Sequence, residues 1–186
     1  KYFKKININK KSLILCEFTH NSVSQVSFSY LVNALKKKYN CESAAFIDAI
    51  DDNYLKFLYK KILNFFNFSN FVIYKSFQVT KFIFLRTNNK ILNQSNSQIN
   101  DILPKLKIKE DLLKLKIENI LVGDLIYDSY LRRYKKATVD LKDKDFISFF
   151  EKSIKIFYFW INFFQSNKVE AIIVSHAVYV ESIVVR

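Results

Sequence analysis

The chain holds two histidines, His20 and His176, and each lies just past a short apolar run. Residues 12–17 (SLILCE) lead to His20, Asn21, Ser22 and Ser24, and residues 169–174 (VEAIIV) lead to Ser175 and His176, with Tyr179 and Glu181 beyond. Continuous apolar runs of this length read as strands buried on both faces of a parallel sheet. In open α/β sheets ligands bind beyond the carboxyl ends of the strands, where loops enter helix N-termini that favour anions. An imidazole placed there titrates near neutral pH and suits a general base. His176 is therefore the candidate catalytic base. Ser175 and Tyr179 beside it, and His20, Asn21 and Ser22 at the other strand end, are candidate substrate contacts. A Ser175–His176–Glu181 triad is excluded, because adjacent serine and histidine point apart and no glycine-flanked nucleophile elbow exists. Cys16 and His20 sit on a strand and a loop with no second ligand pair, so no metal site is expected.

Residues 122–132 (VGDLIYDSYLR) form a second stretch with chemistry in it. Gly123 permits a backbone turn that other residues resist, and Asp124 suits a helix N-cap. Asp128 and Arg132 are spaced to meet on one helix face. Asp128, Tyr130 and Arg132 are candidates for holding sugar hydroxyls or a phosphate. The plainer reading is a capped helix with a solvated ion pair, worth a few tenths of a kcal/mol.

Composition removes several alternatives. With one Gly and one Pro in 186 residues, neither a glycine-rich dinucleotide loop nor a P-loop can be built. Lys and Arg number 30 against 17 Asp and Glu, a formal net charge of +13. Lys, Asn, Ile, Phe and Tyr are all in excess, the residues of A- and T-rich codons. Aromatics fall at core periods rather than between exposed basic residues, so a nucleic-acid stacking platform is not expected. A lysine-rich face fits an anionic membrane surface as well as solvent. Cys16 and Cys41 suggest no disulfide framework, which fits a reducing, cytoplasmic setting. Residues 1–11 carry five lysines and do not read as a signal peptide. The most apolar segment, residues 154–164, is shorter than the ~20 residues that span a bilayer. No Met occurs at any position, and the pattern from Val178 reads as the opening of a helix. The chain is therefore expected to be an N-terminal fragment of something longer.

The elements that would position these residues can be traced along the chain. Residues 22–35 read as a helix with Val23, Val26, Tyr30, Leu31, Ala34 and Leu35 inward, capped by Ser22 or Ser24. Residues 43–47 follow as a strand, completing a βαβ unit with a right-handed crossover. Residues 52–66 form a helix capped by Asp51 or Asp52, with Leu55, Leu58, Tyr59, Ile62 and Phe66 inward. Residues 71–74 read as a third strand, and residues 81–86 as either strand or short helix. Residues 88–100, rich in Asn, Gln and Ser, read as a loop without period. Residues 110–134 are helical with a break near Gly123, and residues 145–167 make a long aromatic helix. The expected fold is a single α/β domain over residues 1–186, Rossmann-like and three-layered, with a mostly parallel sheet flanked by helices.

Residues 122–132 and residues 168–179 (KVEAIIVSHAVY) together resemble segments of surface-carbohydrate and capsule-polysaccharide biosynthesis proteins. In that family a glycine-aspartate helix stands some forty residues before a strand ending in Ser-His with a Tyr following. Such proteins are similar to glycosyltransferases built from two Rossmann-like domains, the GT-B type. The resemblance implies the acceptor-side N-terminal domain of a cytoplasmic enzyme that takes a glycan or lipid-linked acceptor; the basic charge adds peripheral contact with the inner membrane face as an expectation. The resemblance also implies a nucleotide-sugar donor bound on a C-terminal domain, and no cofactor on this one. By position it makes His176 the base for the acceptor hydroxyl, with Ser175, Tyr179, Asp128 and Arg132 as acceptor contacts and His20, Asn21 and Ser22 on the opposite wall. Two other functions fit the residues. One is a non-catalytic basic α/β module that binds a protein, nucleic acid or anionic membrane surface; the other is a sugar-nucleotide epimerase-like enzyme.

Overall fold

A computed structural model describes residues 12–50, 52–68 and 70–186. The described chain falls into two compact units, one of residues up to Arg86 together with Phe163–Ser175, the other of Thr87–Asn162 with His176–Arg186.

The first unit is a four-stranded parallel sheet of β1 (Leu13–Glu17), β2 (Glu42–Asp48), β3 (Lys81–Leu85) and β6 (Val169–Ile173), in the order β3-β2-β1-β6. β1 is central, paired to β2 on one side and to β6 on the other, with Leu15 opposite Ala44 and Ile172. Leu13, Ile14, Leu15 and Cys16 are all buried, which is why the run carries no alternation. The class is α/β with a parallel sheet flanked by helices, as in Rossmann-like three-layer folds. Helix α1 (Ser22–Tyr39) crosses from β1 to β2, and α2 (Tyr54–Phe65) with α3 (Asn70–Ser76) crosses from β2 to β3.

Three readings of this unit change. Residues 71–74 are part of α3 rather than a strand: Phe71 and Tyr74, one turn apart, are buried while Val72 and Ile73 are exposed. A four-residue apolar run cannot tell strand from helix by period. Helix α1 buries Gln25, Phe28 and Val32, and turns Val23, Val26, Tyr30 and Leu31 outward. Helix α2 buries none of its residues. The caps differ too. Asn21 Oδ1 accepts the Ser24 amide, where Ser22 or Ser24 was expected, and Asn53 Oδ1 accepts the Lys56 amide in place of a cap by Asp52. Asp51, the other expected cap, lies outside the described residues.

The second unit contains α4 (Asn89–Ile102), a 3-10 turn (Leu103–Lys105), α5 (Lys109–Leu113), the hairpin β4 (Lys116–Ile117) and β5 (Ile120–Leu121), and α6 (Gly123–Tyr134). Most of α7 (Lys144–Ser166) and a 3-10 stretch (Val180–Val185) complete it. Helix α4 replaces the expected loop. Its buried Ile91, Ser95, Ile99 and Ile102 recur at helical spacing, and Asn88 caps it by accepting the Ile91 amide at 2.9 Å. The segment after Val178 winds as a 3-10 stretch from Val180. Among the described residues no helix is long and apolar enough to cross a membrane.

Several carboxyls are held below the usual carboxylate range. The Tyr130 hydroxyl and the Asp145 amide hold Asp143 down; the amides of Ile108 and Lys107 do so for Asp111, and the Lys168 ammonium for Glu170. Burial pushes Asp52 up, but hydrogen bonds from Lys60 and Lys56 more than reverse it. A carboxyl depressed by folding stabilises the native state above its unfolded pKa, and that contribution disappears as pH falls through the folded value. The thermal midpoint is thus expected to be level near neutrality and to drop below about pH 4. Asp143→Asn should flatten part of that drop, read by calorimetry across the acid range.

Candidate functional site

In a sheet of order β3-β2-β1-β6 the chain steps from β1 through β2 to β3, then returns on the other side of β1. The switch point lies between β1 and β6, where open α/β sheets bind ligands. At the tips of these two strands Glu17 Oε2 accepts the Ser175 amide at 2.7 Å and the Ser175 hydroxyl at 2.6 Å. The strands preceding the two histidines are therefore parallel neighbours, as their apolar runs suggest.

Beyond β1, residues 17–20 are braced from α3. The Tyr74 hydroxyl donates to the Glu17 carbonyl at 2.6 Å and accepts the Thr19 amide at 2.9 Å. Burial pushes the Tyr74 phenol up, so it stays protonated and able to donate. The Thr19 carbonyl accepts from Gln25 Nε2 and Asn70 Nδ2. Because a carbonyl can only accept, this contact fixes the orientation of the Asn70 amide. The same Nδ2 lies 2.5 Å from His20 Nδ1, which must then accept, so the neutral ring carries its proton on Nε2. His20 is exposed and presents a donor, which suits a hydroxyl or phosphate oxygen rather than proton abstraction. Asn21 is committed to capping α1, and Ser22 is exposed in its first turn.

The second unit gathers the other expected residues. Arg132, on α6, lays its guanidinium 4.2 Å from the centroid of the Tyr179 ring rather than pairing with Asp128. The His176 ring is 6.1 Å from that of Tyr179. The Ser129 hydroxyl accepts the Val180 amide at 2.7 Å, and Asp124 pairs with Arg186 at 2.7 Å. Asp128 is exposed one turn before Arg132, on the same face of α6, and His176 is exposed as well. An exposed imidazole near an aromatic ring that also carries a guanidinium can take a proton from a hydroxyl, and the ring and guanidinium can hold a ligand by stacking and hydrogen bonds.

Gly123 plays a different part from the one its sequence suggests. Its φ is not positive; an added Cβ would fall 1.7 Å from the Leu112 carbonyl oxygen and 2.9 Å from Leu115 Cβ. Close packing, not a turn, requires glycine there. Asp124 lies in the first turn of α6 and does not cap it.

Glu17, Asn70, Tyr74 and Ser129 escape a reading of the sequence. Only Glu17, a charge ending an apolar strand, offers any signal. The hollow between α2 and β3 (about 670 Å³) and another beside residues 103–110 and 138–142 (about 860 Å³) are lined by none of the expected site residues. Cys16 and Cys41 are free and buried, and burial pushes the Cys16 thiol up to about 12, leaving it unreactive. Among the described residues no group of three or more His, Cys, Asp or Glu could hold a metal ion. Comparison with protein-family models, curated proteins and solved structures gave no match.

Proposed function

We propose that the chain is the acceptor-side domain of a nucleotide-sugar-dependent glycosyltransferase that assembles a surface polysaccharide. One observation carries the reading most directly. The two stretches that resemble capsule-biosynthesis proteins, some forty residues apart, meet in the second unit, where the Arg132 guanidinium of one lies over the Tyr179 ring of the other. In this proposal His176 takes the proton of the acceptor hydroxyl as that oxygen attacks the anomeric carbon of the donor. Tyr179, Arg132 and Asp128 hold the acceptor by stacking and by hydrogen bonds to its hydroxyls. In the first unit, His20 Nε2–H and the Ser22 hydroxyl supply donors near the end of β1, and Ser175 is held by Glu17. The nucleotide diphosphate leaves from a donor site on a companion domain. The fold class is compatible with this role.

The test is sugar transfer by the full-length protein to a glycan or lipid-linked acceptor, His176→Ala against wild type. Turnover is expected to fall by about 10²–10⁴-fold, the usual contribution of a general base, with the circular dichroism spectrum unchanged. Near-normal turnover in a folded variant would refute the assignment.

A further inference from the structure

Helices α1, α2 and α3 belong to two successive crossovers that step the same way along the sheet, β1 to β2 to β3. Right-handed crossovers place all three on one face, and α3 contacts both α1 and α2. The outward side of this layer is apolar. On α2, Leu55, Leu58, Tyr59, Ile62, Phe65 and Phe66 are exposed, with Leu55 at 74% and Phe65 at 78%. On α1, Val23 is 73% and Tyr30 75% exposed. Amphipathic helices normally turn this stripe toward the core, and an exposed apolar face of this extent marks a contact surface.

Charge narrows what the surface meets. Within the three helices, SVSQVSFSYLVNALKKKY, YLKFLYKKILNF and NFVIYKS, there are seven lysines and no Asp or Glu. Lys56 and Lys61 flank the apolar arc of α2 on either side. Asp52, just before α2, is enclosed by Lys56 at 2.9 Å and Lys60 at 2.6 Å, and Glu42 is paired with Lys81. Between α2 and edge strand β3 runs a groove floored by Phe65, Phe66, Phe82 and Phe84, with Lys61 and Lys75 at its side. A second copy of this chain meeting the face in a two-fold dimer would set lysines against lysines. An acid-free, lysine-flanked apolar helix layer matches instead a helix lying in the headgroup plane of an anionic bilayer.

We infer that the outer face of α1, α2 and α3 binds an anionic phospholipid surface peripherally, with the apolar arc of α2 entering the acyl boundary and the lysines meeting headgroup phosphates. The groove beside β3 offers an apolar bed for part of an acyl chain. The inference does not rest on the sugar-transfer reading.

The experiment is co-sedimentation of the chain with vesicles of phosphatidylcholine alone and of phosphatidylcholine mixed with phosphatidylglycerol. Wild type is expected to pellet with the mixed vesicles and not with the neutral ones, and to be released by salt. Phe65→Ser with Phe66→Ser, residues already exposed, should weaken the association by at least about tenfold with the fold intact by circular dichroism. Lys56→Gln with Lys61→Gln should remove part of the preference for anionic lipid. Equal binding to neutral vesicles, or no effect of the phenylalanine pair, overturns the inference. So does a wild-type dimer in light scattering that the same pair converts to monomer, since a second copy would then cover the face.

Discussion

Gly123→Ala is expected to cost about 3 kcal/mol or more and to lower the thermal midpoint by about 10 °C. Helix propensity argues the other way, since alanine in place of a helical glycine gains about 1 kcal/mol. Sterics decide the sign. The new methyl would stand 1.7 Å from the Leu112 carbonyl oxygen, a backbone atom at the end of α5 that cannot rotate aside. The Gly123 amide also donates to the Leu115 carbonyl at 3.2 Å, so α6 cannot back away without losing that bond. Asp128→Ala, on the exposed face of the same helix, is the control and should stay within about 0.5 kcal/mol. A Gly123→Ala protein as stable as wild type by calorimetry would mean that α5 and α6 do not approach this closely.

Tyr74 is the second position where a small change should be strongly felt. Tyr74→Phe keeps the ring, stacked 4.8 Å from Phe18 and tilted at 5.0 Å against Phe77, but removes the hydroxyl that joins the Thr19 amide to the Glu17 carbonyl. Leaving those part-buried groups without a partner is expected to cost about 1–3 kcal/mol. Tyr74→Ala adds a cavity and should cost about 3–5 kcal/mol. The distinguishing readout is local. Amide exchange at Thr19 should accelerate in the Phe variant while the middle of β1 keeps its protection, and the His20 ring resonances should shift as residues 17–20 loosen. Unchanged protection at Thr19 would show that α3 does not brace the strand tip.

Much of the sheet was legible because its strands are short, largely apolar runs, and β1 and β2 are buried along most of their length. Leu13–Cys16, residues 43–47 and residues 169–173 are continuous apolar runs, and each is a strand. The helix faces were harder. In α1 the buried side includes Gln25, whose carboxamide is needed by the Thr19 carbonyl, and the more regular apolar stripe points outward. In α2 apolar residues take up so much of the circumference that period assigns no inner face, and the flatter side, with Phe57, Lys60 and Leu63, is the one half-covered. Helix α4 was hidden by its Asn, Gln and Ser, although its isoleucines keep helical spacing. For the candidate site, the histidine positions follow from strand ends, whereas the Glu17–Ser175 contact joins residues 158 apart and needs the β1–β6 pairing to exist. Tyr74 lay in the segment read as a strand and Asn70 just before it, so their reach toward Thr19 could not be seen.

The central position of β1 bears on how the chain is made. One of its two neighbours, β6, begins at Val169, about 150 residues after β1 ends. At about 5–20 residues per second, a ribosome delivers β6 roughly 10–30 s after β1 has emerged. Throughout that interval one side of the Leu-Ile-Leu-Cys ribbon offers unmatched amides and carbonyls to any passing chain. Nascent-chain chaperones would thus meet this protein chiefly through its first strand, and release would await synthesis of the last.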